Sequence, residues 1–132
     1  MTVFGWSGPM DINDLTGQVI GAAIEVHKNL GPGLLESVYE TCLCVELDKR
    51  NIPYERQKEI QIEYKGTIVD CGFRSDLIVD DRLIVELKAQ DNLLPIHEAQ
   101  LLTYLKLMNI KVGLLINFNV VVLKDGIKRL AN

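Results

Sequence analysis

The order of apolar and polar positions divides the chain into two helices, a run of strands, a third helix and a last pair of strands. Over residues 14–30, Leu15, Val19, Ile20, Ala23, Ile24 and Val26 recur at helical spacing, and Asp11, Asn13 and Asp14 can cap the start. Gly31-Pro32-Gly33 ends that helix. A second is predicted over about residues 34–50, with Leu35, Val38, Cys42, Val45 and Leu47 as the stripe that faces a sheet. Residues 59–64 alternate, Ile60 and Ile62 against Gln61 and Glu63; Lys65-Gly66 then turns the chain into a long strand over 67–79, and a strand over 83–89 completes a three-stranded meander. Pro95 suits the first turn of a helix running to about residue 109, with Ala99, Leu102, Leu105 and Met108 toward the sheet and Gln100 and Tyr104 together on another face. Residues 111–117 are nearly all apolar, as in a strand buried on both faces, and 120–123 with 127–130 flank Lys124-Asp125-Gly126 as a final hairpin. The predicted order is α-α-β-β-β-α-β-β in a single α/β (α+β) domain over residues 11–132, after a flexible tail over residues 1–10.

A chain of 132 residues buries about two-thirds of its unfolded surface, enough for a core without staples. No apolar run approaches the ~20 residues of a membrane helix, and residues 1–10 lack the basic start and apolar centre of a signal peptide, so a cytoplasmic protein away from membranes is expected. Cys42, Cys44 and Cys71 lack the spacing of a disulfide frame or zinc site and are expected as buried thiols; His27 and His97 are isolated and expected as hydrogen-bonded helix residues. The net charge of −4 argues against a module that coats nucleic acid through a basic face. It is compatible with a hydrolase whose acidic site takes cations.

The densest chemistry lies in Arg74-Ser-Asp76 and Glu86-Leu87-Lys88. Alternation puts Glu86 and Lys88 on one face of their strand, and a three-residue loop at 80–82 would set Asp76 directly opposite Glu86. Two carboxylates this close repel unless something compensates, and a hard divalent cation such as magnesium, held by one or two carboxylates and substrate phosphate, is the natural compensator. Asp76, Glu86 and the carbonyl of Leu87 would supply the ligands, with Lys88 acting on an attacking water or a phosphate. On spacing alone the same residues also suit a structural salt-bridge cluster, Lys88 with Glu86 and Arg74 with Asp76. Glu36, in the first turn of the second helix, either serves the helix dipole or delivers a further carboxylate. Gln100 and Tyr104 on their own read equally as a solvated stripe.

Gly33-Leu-Leu-Glu36-Ser-Val-Tyr39, Asp76 followed by Glu86-Leu87-Lys88, and Gln100-Leu-Leu-Thr-Tyr104 stand in the order found in the GxxExxY protein family, a branch of the PD-(D/E)XK nuclease superfamily. The chain resembles that family from about residue 11 to its end; Ser75 stands where the superfamily motif has proline. The resemblance implies a restriction-endonuclease-like core, with a central mixed β-sheet flanked by helices, and cleavage of DNA or RNA that depends on Mg2+ or Mn2+. It implies Asp76, Glu86, the Leu87 carbonyl and Glu36 as metal ligands, Lys88 as the catalytic lysine, and Gln100, Tyr104 and Tyr39 as residues that orient substrate. The expected partner is a nucleic acid, DNA first, and a homo-oligomer would complete a longer groove. The alternative function is a noncatalytic module of the same fold that binds nucleic acid or a protein.

Overall fold

The computed structural model describes residues 10–132; residues 1–9, nearly all of the expected tail, lie outside the described residues. The elements are α1 (Ile12–Leu30), α2 (Glu36–Lys49), β1 (Tyr54–Tyr64), β2 (Thr67–Val79), β3 (Leu83–Lys88), α3 (Pro95–Met108), β4 (Val112–Asn117), a 3₁₀ turn (Leu123–Gly126) and β5 (Ile127–Ala131). This is the predicted order. The five strands form one mixed sheet in the order β1-β2-β3-β4-β5. Only β3 and β4 run parallel, and α3 is the crossover that such a pair requires.

Alternation along the strands builds a core on each face of the sheet. Leu77, Val79, Leu83, Val85 and Leu87 meet α1 and α2 in the larger core, while Ile84 and Leu115 meet Leu101, Tyr104 and Leu105 of α3 in the smaller. Strand β4 is buried along its whole length, as its apolar run predicts. Lys65 and Gly66 both take positive φ, which matches the twist of a tight hairpin between β1 and β2.

Five expectations change. Strand β1 begins at Tyr54 rather than 59, because residues 55–59 are polar and carry no alternation, yet pair with the far end of β2. On α2 the buried face is Tyr39, Glu40, Leu43, Cys44 and Leu47, whereas Leu35, Val38 and Val45 are exposed; two side chains with polar tips hide this face from a hydrophobicity reading. On α3 the buried residues are Leu101, Tyr104 and Leu105, with Ala99 and Leu102 exposed, so Tyr104 belongs to the sheet-facing side. Finally, 120–123 form no strand: β5 pairs antiparallel with β4 instead, and the 3₁₀ turn ends at Gly126 against the Asn117 carbonyl. Of the thiols only Cys44 is buried, and all three are free.

The close approach at Gly126 leaves no room for a Cβ beside the Asn117 carbonyl. Gly126→Ala is expected to cost about 1–3 kcal/mol, the usual range for overpacking, read from the midpoint of urea unfolding. An unchanged midpoint would mean that the turn yields freely.

Candidate active site

The β2–β3 connection sets the register. Val79 pairs with Leu83, Ile78 with Ile84 and Leu77 with Val85, around a loop in which Asp80 and Asp81 take positive φ and the Arg82 N–H donates to the Val79 carbonyl at 3.0 Å. One step further the ladder ends, with Asp76 across from Glu86. There the side chains replace the backbone partners: Asp76 Oδ2 accepts from the Leu87 N–H at 2.8 Å, and Glu86 Oε1 accepts from the Asp76 N–H at 3.3 Å. Each carboxylate is thus pinned by the opposite strand.

Neither acid has a cation beside it among the described ion pairs. Arg74 pairs with Glu59 at 3.2 Å, and Lys88 forms no salt bridge with a described residue, so the salt-bridge cluster that the spacing allows is not formed. Glu86 is 8% exposed, and burial first, then the charge of Asp76, pushes its pKa up from 4.5 to about 8. Lys88 follows Glu86 on the same face and is half-buried. Its backbone is clamped from β4, since the Phe118 N–H donates to the Lys88 carbonyl at 2.9 Å. Asn117, buried and paired with Lys88 in the ladder, donates Nδ2 to the Gln90 carbonyl at 2.9 Å and accepts the Gln90 N–H at 3.1 Å. Nothing local marks Asn117, which looks like the end of an apolar run.

Helix α3 brings Tyr104 to this face. The ring is buried, lies 6.2 Å from that of Phe73, and its phenol is pushed up to about 12, by burial and then by the charge of Glu86. Gln100 and Tyr104 line an open groove of about 340 Å³ between α3 and β2, with Phe73, Ile96, Thr103 and Leu107.

Helix α2 contributes differently from the motif reading. Glu36 is exposed and shares a hollow with Ala89, one residue past Lys88. Tyr39 is fully buried, stacked on Phe118 at 4.4 Å; its hydroxyl donates to the Gly31 carbonyl at 2.6 Å and accepts the Leu34 N–H at 3.1 Å. It braces the turn before α2 and does not face the groove. The acid of α2 that reaches toward Asp76 is Glu40, one turn beyond Glu36, through Gln57 of β1. Neither residue was singled out from sequence. The available signal was that Glu40 follows Tyr39 and lies one turn before Cys44 and Leu43.

Among the described residues no three His, Cys, Asp or Glu side chains converge as a metal-holding group. Two uncompensated carboxylates and a neighbouring main-chain carbonyl fit magnesium, which takes few protein ligands and keeps waters, better than a zinc-type cage.

The model for the PD-(D/E)XK nuclease superfamily matches residues 13–130. No curated protein and no solved structure matches the chain.

Because the folded-state pKa of Glu86 lies above its ordinary value, folding favours its protonated form. Its contribution to stability is complete below about pH 4.5 and is lost as pH rises through about 8. In chelator-treated protein the melting temperature should therefore fall over that window, and Glu86→Gln should flatten the slope. The same slope in the variant would refute the assignment.

Proposed function

The chain belongs to the PD-(D/E)XK nuclease superfamily, and from that premise we propose that it is a metal-dependent nuclease that hydrolyses phosphodiester bonds of DNA or RNA, with DNA the first substrate to test. The observation that carries the reading is the Asp76–Glu86 pair, two opposed carboxylates without a cationic partner among the described ion pairs. A like-charge pair with one member buried and the other partly buried costs stability, and a site that gains a cation removes that cost.

Asp76 and Glu86 would hold the cation through oxygen lone pairs left free by their backbone bonds, and the Leu87 carbonyl would complete the protein's share. The chemistry that magnesium or manganese supplies at such a point is a more acidic water and neutralisation of charge on the phosphate. Lys88 would orient the attacking water and place its ammonium against the oxygen on which charge develops. Gln100 and Tyr104, on the groove between α3 and β2, would steady the strand carrying the scissile phosphate. Glu36, exposed at the start of α2 in a hollow shared with Ala89, would act toward the cation only through water. Tyr39 acts only at a distance, by bracing α2. The three free thiols support a reducing compartment such as the cytoplasm.

The net charge of −4 favours, as a second reading, a noncatalytic module that binds a partner. The two separate in one assay, in which labelled single- and double-stranded DNA and RNA are incubated with Mg2+ or Mn2+. Asp76→Ala and Lys88→Ala should each lower cleavage by roughly 10²–10³-fold or more while circular dichroism stays that of the wild type. Equal cleavage by all three proteins would sink the nuclease assignment, and metal binding without cleavage would favour the module.

A further inference from the structure

Gln57 breaks two rules of the strand in which it sits. Neighbours in a strand point to opposite faces, yet Arg56 and Gln57 both bond Glu40: Arg56 Nε and Nη2 approach Oε2 at 3.0 Å, and Gln57 Nε2 donates to Oε1 at 2.7 Å. The backbone makes this possible at a cost, because Gln57 takes φ of 51°, the left-handed region that residues with a Cβ avoid. The β1–β2 pairing runs Arg56 with Leu77 and Lys58 with Ser75, and Gln57, which lies across from Asp76, is left out of it. Strain of this kind persists only where the surroundings enforce it.

What the strain secures is a second bond. The same Nε2 donates to Asp76 Oδ1 at 3.3 Å, so one amide group lies between two carboxylates. Only its NH2 end suits that place, since the amide oxygen would face two acceptors. Glu40 is 7% exposed and anchored on α2, with Arg56 neutralising its other oxygen. Asp76 Oδ2 is already fixed by the Leu87 N–H, which leaves Gln57 as the side chain that fixes Oδ1.

We infer that Gln57, anchored by Glu40, is a positioning residue that sets the orientation of the Asp76 carboxylate toward a bound cation. The inference rests on the nuclease reading for the cation itself. It makes Glu40 an anchor acting through Gln57 and Asp76, in contact with neither substrate nor metal.

The experiment titrates Mn2+ into the full chain by calorimetry, with unfolding midpoints measured in parallel without metal. Gln57→Gly removes the amide and relieves the strained φ, so affinity should fall roughly tenfold to a hundredfold, the usual loss for a residue that orients a metal ligand, while the midpoint holds or rises. A purely structural role predicts a shifted midpoint with unchanged affinity, and that result overturns the inference. Glu40→Ala removes the anchor of the Gln57 amide and should lower affinity as Gln57→Gly does. Unchanged affinity in Glu40→Ala would overturn the anchor role. A wild-type protein that binds no Mn2+ overturns the nuclease reading and this inference with it, whereas wild-type binding matched by Gln57→Gly overturns the inference alone.

Discussion

Asp76 and Glu86 face each other where the β2–β3 ladder gives out, and their repulsion is met by no cation among the described ion pairs. Burial, and after it the charge of Asp76, raises the pKa of Glu86, and each acid is tied to an amide of the opposite strand. Much of the surrounding architecture follows from keeping that pair opposed. The tight Asp80-Asp81-Arg82 connection fixes the register, and a shift of one residue would turn one acid to the other face.

The remaining supports come from distant parts of the chain. Strand β4 holds the far side of the site through Asn117 and Phe118, which clamp residues 88–90. Phe118 in turn stacks on Tyr39, and His27 Nε2 of α1 donates to the Val120 carbonyl at 2.8 Å, so both helices of the larger core bear on the loop behind the lysine. Tyr104 closes the smaller core on the opposite face, with its phenol in the field of Glu86. The acids therefore lie where both cores end, with Glu86 dry enough to strengthen charge effects and Asp76 only partly covered.

Much of this was legible from the residues alone. Local rules decided the element order, the Lys65-Gly66 turn, the bounds of β2, and the placing of Asp76 across from Glu86, because a three-residue connection and period-two alternation leave little freedom. The faces of α2 and α3 were misread for a shared reason: each presents apolar side chains on more than one side, and Tyr39, Glu40 and Tyr104 bury rings or stems that a polarity count assigns to water.

Which acids oppose each other depends on neighbours a few residues apart, so local order is enough to set it. Which charges lie beside them depends on long-range packing: Arg74 turns to Glu59, Lys88 keeps free of the described acids, and Glu40 rather than Glu36 approaches Asp76 through Gln57. Those choices join segments far apart in the chain, and they hang on a left-handed residue in the middle of a polar strand that no local pattern announces.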